Sequence, residues 1–437
     1  MDGPVALPPT PRRKENHPSM TDSITITPRR NLNADVTVPG SKSCTARALV
    51  MAALAPGATV LMAPAGCDDT DRLVSGLNAL GAPTEIDGGM IAVDGQPFAP
   101  PKEPLVLGNS GTAMRFLTAA CATMNGSAVL DGDARMRERP IGDLLEALRD
   151  WGVRADSDTG CPPVRVTSTG RFGGKTRVRG GASSQYLTGL LIAAPRATED
   201  VTIEIDGELV SKPYIDLTLA MMSERGVSAS HDAYRTFHVT ADQVYEPGTY
   251  AIEADASGAS YFFAAAAVAG GRVRVLNLAG SSIQGDAQFP KVLEQMGCTV
   301  TEGTDWIEVT GNGALRGLDI DLNAMPDMAQ TLAVTALFAE GSTTIRNVAN
   351  LRIKECDRIS ATAAELQKLG AHVEEREDGL TITPGPLQGA AIDTYNDHRM
   401  AMSFALAGLR VPGVAINDPG CVSKTFPDFF DRFGRLA

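Results

Sequence analysis

Charged and polar side chains are concentrated in segment 350–360, NLRIKECDRIS, between two stretches that are typical of core structure. On a helix, Lys354 and Arg358 would lie four positions apart on one face. Two aligned cations repel each other unless an anion lies between them, so the pattern favours an anion-binding wall over a solvated helix. Glu355 lies beside both cations and should stay ionised. The segment therefore combines a candidate general acid or base with an anion site.

Further cations occur at the starts of six apolar stretches. The starts are PGSKSCTAR, GNSGTAMR, GASSQY, EADASGAS, AMPDMAQ and YNDHRMAM. A buried helix presents unpaired N–H groups and a partial positive charge at its N-terminus, so several converging starts would attract an anion. Helix capping alone explains the Ser, Thr, Asp and Asn residues. It does not explain the cations Lys42, Arg47, Arg115, His398 and Arg399.

A repeated unit must position these starts. Amphipathic stretches that end in glycine and run into a strand recur at Gly81, Gly152, Gly226, Gly297 and Gly370, separated by 71, 74, 71 and 73 residues. Glycine suits a left-handed helix C-cap, and a truncated sixth copy ends at Gly434. The six apolar stretches alternate with this series and should form buried helices that the amphipathic ones cover. Six units of two helices and several strands predict an α/β fold.

Composition excludes several classes of protein. A chain of 437 residues is too long for one hydrophobic core, so at least two domains are expected. The net charge of −13 argues against nucleic acid and anionic membranes as partners, and no apolar run is long enough to span a bilayer. Seven scattered cysteines without a CxxC pair favour free thiols in a reducing, cytoplasmic compartment. Residues 1–21, rich in Pro and charge, are interpreted as a disordered extension.

The chain resembles the EPSP synthase family of enolpyruvyl transferases from about residue 22 to the C-terminus. The resemblance rests on PGSKS, GNSGTAMR, RMRERPIGDL, SSQYLTGLLIAAP, VSKPYIDLTLAMM, NLRIKECDRIS and YNDHRMAMSFALAG. It implies a two-domain, inside-out α/β barrel-like fold with three βαβαββ units per domain and buried helices. It further implies that residues 22–40 and 254–437 form one domain and 41–253 the other. The active site would lie in the cleft between them, in a monomer.

The reaction implied by the resemblance is transfer of the enolpyruvyl group of phosphoenolpyruvate to the 5-hydroxyl of shikimate 3-phosphate. Phosphate leaves after a tetrahedral intermediate, and the product belongs to the shikimate pathway to chorismate and the aromatic amino acids. No cofactor and no metal is implied, and the partners are the two small-molecule substrates. Asp327 would accept the hydroxyl proton, Glu355 would exchange the methylene proton, and Lys42 would assist departure of the phosphate.

The resemblance also assigns binding residues for each substrate. For shikimate 3-phosphate they are Lys42, Ser43, Arg47, Ser183, Ser184, Gln185, Ser211, Tyr214, Asp327, Asn350 and Lys354. For phosphoenolpyruvate they are Lys42, Gly111, Arg139, Gln185, Arg358, Arg399 and Lys424.

Three positions depart from the family pattern: Ala46 stands where Asn is usual, Phe116 where Pro is usual, and Gly258 where Ser is usual. We expect Phe116 to alter affinity for phosphoenolpyruvate and for glyphosate, the family's inhibitor.

Two rival functions stay open at this point. An enolpyruvyl transferase acting on UDP-N-acetylglucosamine would need a reactive cysteine, whereas the corresponding region here, DARMRERPIGD, holds arginines. A non-catalytic phosphate-binding relative would lack Asp327, Glu355 or Lys42, and all three are present.

Overall fold

The computed structural model describes residues 22–437, so the extension expected at 1–21 lies outside the described residues. The helices are α1 (Lys42–Leu54), α2 (Asp68–Ala79), α3 (Gly111–Ala120), α4 (Gly142–Asp150), α5 (Ser184–Ala193), α6 (Lys212–Glu224), α7 (Ala256–Ala269), α8 (Phe289–Gln295), α9 (Ala329–Ala336), α10 (Arg358–Lys368), α11 (His398–Gly408) and α12 (Phe429–Phe433). Short 3-10 turns such as Met136–Glu138, Gly285–Gln288 and Ala349–Ile353 join some of these elements.

The strands are short. They are β1 (Ser23–Thr25), β2 (Leu32–Val36), β3 (Gly57–Met62), β4 (Thr84–Asp87), β5 (Met90–Gly95), β6 (Leu105–Val106), β7 (Asn125–Asp131), β8 (Arg154–Asp156), β9 (Val164–Thr169), β10 (Gly174–Arg179), β11 (Val201–Asp206), β12 (Ala229–Asp232) and β13 (Thr236–Val239). The second half of the chain adds β14 (Thr249–Ala251), β15 (Gly271–Val275), β16 (Thr299–Glu302), β17 (Ile307–Gly311), β18 (Leu315–Arg316), β19 (Asp319–Asp321), β20 (Ala339–Glu340), β21 (Thr343–Arg346), β22 (His372–Arg376), β23 (Gly379–Thr383), β24 (Ala391–Ile392) and β25 (Ala415–Asn417).

Besides a two-stranded sheet of β18 and β20, the described residues form six sheets. Five have four strands, in the orders β14-β3-β5-β4, β6-β7-β9-β8, β10-β11-β13-β12, β2-β15-β17-β16 and β19-β21-β23-β22, and the sixth is β1-β25-β24. Each four-stranded sheet has one parallel pair followed by antiparallel pairs, which is the βαβαββ unit expected from the sequence. The sheets stay separate and close no barrel within residues 22–437.

The six apolar stretches form the buried helices α1, α3, α5, α7, α9 and α11. Nearly every residue of α7 and α11 is buried, since both helices are apolar on all sides. The amphipathic series forms α2, α4, α6, α8 and α10, as predicted. The predicted two-domain α/β fold with buried helices is therefore confirmed.

Glycine ends five of the amphipathic helices in the left-handed conformation. The φ angles lie between 76° at Gly226 and 110° at Gly297. The prediction is wrong for Gly434, whose φ is −66°. Helix α12 has five residues, and residues 435–437 are not part of a strand, so no strand in the described chain requires a reversal at Gly434.

Two separate hydrophobic clusters form the core. One contains Ile26, Leu32 and Val38 together with buried residues from Ala254 to Leu436. The other contains buried residues from Cys44 to Ile252. The chain passes from one cluster to the other near residues 38–44 and again near 252–254. No helix within residues 22–437 is long and apolar enough to cross a membrane.

Candidate active site

A small, highly charged cavity lies where the two clusters meet. It is lined by Lys42, Asp69, Gly111, Thr112, Arg139, Gln185, Asp327, Lys354, Glu355, Arg358, His398 and Arg399. Nine of these twelve are residues that the sequence assigned to substrate binding or catalysis. They come from both clusters, because residues 42–185 belong to one and 327–399 to the other. The sequence-assigned cations and carboxylates therefore converge on one place.

The helix starts place these side chains. Lys42 is the first residue of α1, Gly111 the first of α3, Arg358 the first of α10, and Arg399 the second of α11. Each start is capped by a Ser or Asp side chain, so the cap and the functional residue are neighbours in sequence. The capping interpretation is correct for these starts, and the functional interpretation of the neighbouring residues stays a prediction.

Asp69 holds two lysines from opposite sides of the cleft. Its carboxylate oxygens lie 3.0 Å from Lys42 Nζ and 2.8 Å from Lys424 Nζ. Burial alone would raise the pKa of Asp69, but Lys42 and Lys424 lower it below its usual value. Burial likewise would lower the pKa of Lys42, yet Asp69 and Glu355 raise it. Lys42 is thus charged, and Asp69 fixes both lysines in position.

The two candidate catalytic carboxylates are paired with arginines. Asp327 lies 2.7 Å from Arg399 Nη2 and 3.1 Å from Arg358 Nη1, and Glu355 lies 2.8 Å from Arg358 Nη2. Burial alone would raise the pKa of Asp327, but Arg399 lowers it below its usual range. The pKa of Glu355 is held well below its usual range, chiefly by Arg358 acting against burial. Both carboxylates are ionised in this structure.

Two arginines flank Gly111 and carry no carboxylate partner among residues 22–437. Arg139 donates to Asn109 Oδ1 at 2.9 Å, and Arg115 donates to Pro140 O at 3.2 Å. The Nε group of each is buried without a hydrogen-bond partner in the described part of the chain. A Cβ at position 111 would approach Arg115 Nη1 to 2.7 Å and Arg139 Nη2 to 2.8 Å. Glycine therefore keeps this cationic surface open to an anion.

Arg47 lies beneath the cavity among four helices of its own cluster. It donates to Ser43 O, Thr218 Oγ1 and Tyr214 O at 2.9 to 3.0 Å, and more weakly to Thr188 Oγ1. Four of its five N–H directions are thus used inside the protein, which leaves one for a ligand. Burial lowers its pKa to about 10, so it remains charged at neutral pH.

Phe116, one of the departures from the family pattern, packs against this arginine. Its ring centroid lies 5.6 Å from Arg47 Cζ. The ring is buried in α3. Ala46 and Gly258 are also buried, and neither contributes a side chain to the cavity.

A larger cavity of about 1110 Å³ adjoins the charged one and is also lined from both clusters. Asn350 lines it, and its Oδ1 has no hydrogen-bond partner among residues 22–437. Ser183 caps α5 and Ser184 begins it, next to Gln185. Ser211 caps α6 in the left-handed conformation, and its N–H lies 3.3 Å from Asn323 Oδ1. These four assigned residues border the cleft, but they do not line the charged cavity.

The helical spacing assumed for segment 350–360 is wrong. Ala349–Ile353 is a 3-10 turn, Lys354 is extended, and α10 begins at Arg358. Helix α10 begins only after Lys354, because the side chain of Asp357 caps its N-terminus by accepting from the N–H groups of Ile359 and Ser360. Lys354 and Arg358 still line the same cavity, but through a turn rather than a shared helix face.

Sequence reasoning assigned no role to three residues that line the cavity, Asp69, Thr112 and His398, or to Asp397, which precedes His398. Asp69 gave no signal, because Asp is ordinary in the first turn of a helix. Asp397 caps α11 and accepts a 2.7 Å bond from Arg358 Nε. His398 was noted as a cation at a helix start, yet burial and then Lys42 hold its pKa well below 6.5, so it is neutral. Neither ring nitrogen of His398 has a hydrogen-bond partner in the described chain.

Two solved structures share this architecture and indicate the class of protein. An EPSP synthase from Acinetobacter baumannii superimposes with a TM-score of 0.79 at 26% identity, covering 95% of this chain and 98% of that one. The enolpyruvyl transferase NikO from Streptomyces tendae shares the fold, with a TM-score of 0.76 at 19% identity over 95% of this chain and 97% of that one. The fold is that of these two enolpyruvyl transferases.

Within that class, the chain belongs to the EPSP synthase (3-phosphoshikimate 1-carboxyvinyltransferase) family, whose model matches residues 26–433. The 3-phosphoshikimate 1-carboxyvinyltransferase of Serratia proteamaculans is 49% identical over 427 residues, covering 96% of this chain and 99% of that protein. The protein of the same name from a Marinomonas species is 48% identical over 424 residues, with coverage of 95% and 100%. The resemblance noted in the sequence is confirmed.

Proposed function

We propose that this protein transfers the carboxyvinyl group of phosphoenolpyruvate to the 5-hydroxyl of shikimate 3-phosphate, in the shikimate pathway. The observation that carries the proposal is the meeting of Asp327 and Glu355 with cations from both clusters at one cavity. Two carboxylates can exchange two protons, and the cations can hold two anionic substrates. The relatives named above carry this activity in their names.

Phosphoenolpyruvate would occupy the cationic part of the cavity. Arg139 and Lys424 flank it beside Gly111, and Arg358 and Arg399 complete it from the other cluster. Arginine can grip a carboxylate or a phosphate with two parallel N–H donors, whereas lysine supplies a compact charge. Lys42 and Gln185 line the same space, and Lys42 would neutralise the phosphate as it departs.

Shikimate 3-phosphate would extend from this cavity into the larger one. Ser183, Ser184 and Gln185 offer hydroxyl, amide and backbone donors at the start of α5, which suit a phosphate. The remaining assigned residues are Ser43, Arg47, Ser211, Tyr214, Asn350 and Lys354. The unpaired Oδ1 of Asn350 supports a ligand contact at the larger cavity.

The chemistry would proceed by addition and elimination. Asp327 accepts the proton of the 5-hydroxyl while the hydroxyl oxygen bonds to C2 of phosphoenolpyruvate. Glu355, in its protonated form, gives a proton to the methylene carbon, which becomes a methyl group in the tetrahedral adduct. The C–O bond to phosphate then breaks with help from Lys42. Loss of one methyl proton back to Glu355 restores the double bond and leaves product and phosphate.

Binding of the substrate anions would also change the pKa values of the two carboxylates. Here Arg358 and Arg399 hold the pKa values of Asp327 and Glu355 low. When phosphoenolpyruvate takes over these guanidinium groups, the carboxylates lose their partners while staying buried. Burial then raises their pKa values toward the range in which proton transfer is efficient.

Entry of two substrates requires the cleft to open. The charged cavity holds about 30 Å³, which is the space of very few water molecules. We propose that residues 22–40 with 254–437 form one moving domain and 41–253 the other, in a cytoplasmic monomer. The two hydrophobic clusters support this division.

Phosphate release from phosphoenolpyruvate, measured with purified protein, tests the proposal. We expect release with shikimate 3-phosphate and none with shikimate or UDP-N-acetylglucosamine as acceptor. Release that needs no acceptor would contradict it. Release only with the UDP-sugar would favour the rival transferase, and binding of the substrates without any release would favour the non-catalytic relative.

A further inference from the structure

A third buried carboxylate, Asp286, lies beside the site and takes no part in the proposed chemistry. It lies in the turn Gly285–Gln288 and is 4% exposed. Its Oδ2 accepts a 3.1 Å hydrogen bond from Tyr214 Oη and a second hydrogen bond from Ser257 Oγ. Its Oδ1 has no hydrogen-bond partner among residues 22–437.

The bond from Tyr214 to Asp286 joins the two clusters. Tyr214 packs against the cluster that spans 44–252, whereas Asp286 is followed by Ala287 and Phe289 of the other cluster. The bond to Ser257, in contrast, stays inside one cluster. Asp286 is therefore placed to respond to contact between the two halves of the molecule.

Tyr214 depends on this contact for the direction of its hydroxyl. Its carbonyl accepts from Arg47, and its ring lies 5.9 Å from Arg47 Cζ, so the backbone and ring are held within their own cluster. The hydroxyl bonds to Asp286 across the cleft. A phenol group that serves a ligand must be oriented before the ligand arrives, because ordering it afterwards costs affinity.

The electrostatic surroundings of Asp286 do not favour its negative charge. Burial is the largest influence on its pKa, and the neighbouring Asp327 and Asp255 raise it further, against Arg399. An ionised carboxylate here costs free energy, and its hydrogen bonds to Tyr214 and Ser257 offset part of that cost. A neutral side chain would fill this position at lower cost.

We propose that Asp286 is a positioning residue that orients the Tyr214 hydroxyl for shikimate 3-phosphate when the two halves of the protein meet. This rests on the proposed function, in which Tyr214 is a ligand of that substrate. The role is exerted through a hydrogen bond, so an acceptor at position 286 suffices and the negative charge is dispensable.

Steady-state kinetics with both substrates test this role. Asp286→Ala should raise the KM for shikimate 3-phosphate about 10-fold, as loss of one hydrogen bond does, with kcat and the KM for phosphoenolpyruvate changed less than about 3-fold. Asp286→Asn keeps an acceptor and should recover most of the affinity. Ser257→Ala, which removes the bond within one cluster, is the matched control and should stay within about 2-fold of wild type.

A double-mutant comparison isolates the Tyr214 contact. If Asp286 acts through Tyr214, then Tyr214→Phe should weaken affinity in the wild-type background and add little in the Asp286→Ala background. Should Asp286→Ala fail to fold, Asp286→Ser replaces it, since the serine hydroxyl is too short to reach Tyr214. Thermal melting of every variant verifies folding.

The outcomes are separable. An inactive wild-type protein that binds neither substrate overturns the proposed function itself. If the wild type is active, three results would overturn the role of Asp286 alone. These are an Asp286→Asn variant as impaired as Asp286→Ala, effects of the Tyr214 and Asp286 substitutions that multiply, and a fall in kcat in place of a loss of affinity.

Discussion

At the scale of single residues, each carboxylate that faces the charged cavity is paired with a cation in this structure. Asp69 contacts two lysines, Asp327 two arginines and Glu355 one arginine. Lys42, Lys424, Arg358 and Arg399 are therefore neutralised within the protein, whereas Arg139 has no carboxylate partner among residues 22–437. Breaking such buried pairs is costly unless another anion replaces the carboxylate, so the site favours ligands that carry several negative charges.

Glu355→Gln isolates the proton exchange. Glutamine keeps the size of glutamate but cannot carry the proton, so kcat should fall about 10²- to 10⁴-fold. The affinity for shikimate 3-phosphate, measured by calorimetry, should stay within about 3-fold. Glu375→Gln, at an exposed ion pair with Arg352, is the control and should match wild type. Full activity in Glu355→Gln would remove Glu355 from the mechanism.

The raised pKa of Asp286 predicts a stability change with pH. Burial and Asp327 raise its pKa from 3.8 to about 6, so the folded state binds this proton more tightly than the unfolded state. The stability that Asp286 contributes is then full below about pH 4 and is lost as the pH rises through 6. Relative to Asp286→Asn, the wild-type free energy of unfolding should fall by on the order of 2 kcal/mol across this range.

Urea unfolding at pH 4.5, 6 and 8 measures this difference, and Ser257→Ala, which keeps Asp286, should show the same direction of change as the wild type. A wild-type advantage that grows with pH would contradict the assigned direction of the pKa shift.

The sequence pointed to residues that line the charged cavity where a charge broke a local pattern. A cation at the start of an apolar helix has no structural reason to be there, so Lys42 and Arg399 stood out. Asp69 did not, because CDDTDRL contains three aspartates in one helical turn, and the turn itself favours them. Which of the three faces the cavity depends on how α2 packs, and this is a tertiary property.

At the scale of elements, helix starts and short turns carry the site. The turn Met136–Glu138 reaches across the cleft: Arg135, which precedes it, donates from Nη2 to Lys354 O at 3.0 Å and from Nε to Glu355 O at 3.1 Å. The extended segment that holds Glu355 is thus fixed by the opposite half of the molecule. The position of Glu355 and the contact between the halves are coupled through these bonds.

Arg135→Ala tests this coupling. Loss of the hydrogen bonds should lower kcat/KM for phosphoenolpyruvate about 10-fold or more, since bonds from a charged donor are strong. Arg137→Ala is the matched control, because Arg137 is exposed and pairs with Asp131 in its own unit. Its kinetics should stay within about 2-fold of wild type. Equal effects of the two substitutions would show that general charge, and not the bonds to the Glu355 segment, is responsible.

The periodicity of the sequence predicted helices well and their ends less well. Five glycines adopt the left-handed conformation because each must reverse the chain into a strand, whereas the described residues 435–437 after Gly434 form no strand. In segment 350–360, periodicity suggested one helix, but Asp357 is the N-cap of α10, so the helix does not extend back to Lys354. A hydrophobic pattern reports which face is buried, whereas a cap depends on one side chain and its rotamer.

At the scale of the whole molecule, the six-unit organisation explains why one cavity can collect so many helix starts. Three buried helices belong to each cluster, and residues at the starts of α1, α3, α5 and α11 line the charged cavity. The unit and its period were predictable from internal repetition. The completion of two sheets by β2 and β14, which lie far from their units in sequence, is a long-range pairing that local patterns do not encode.

Ligand binding should stabilise the molecule selectively. At about 100 times its dissociation constant, shikimate 3-phosphate should add about 2.7 kcal/mol to the free energy of unfolding. Thermal melting should therefore shift upward with this substrate and stay unchanged with UDP-N-acetylglucosamine. A shift with the UDP-sugar alone would contradict the assigned specificity.

Turnover in heavy water tests the central claim most directly. In addition and elimination, Glu355 delivers a solvent-derived deuteron to the methylene carbon, and one of three methyl hydrogens is then lost. Mass spectrometry of the product formed from phosphoenolpyruvate and shikimate 3-phosphate should therefore find a carboxyvinyl ether with deuterium in most of its vinyl groups. Product free of deuterium, or no carboxyvinyl ether at all, would contradict the proposed chemistry.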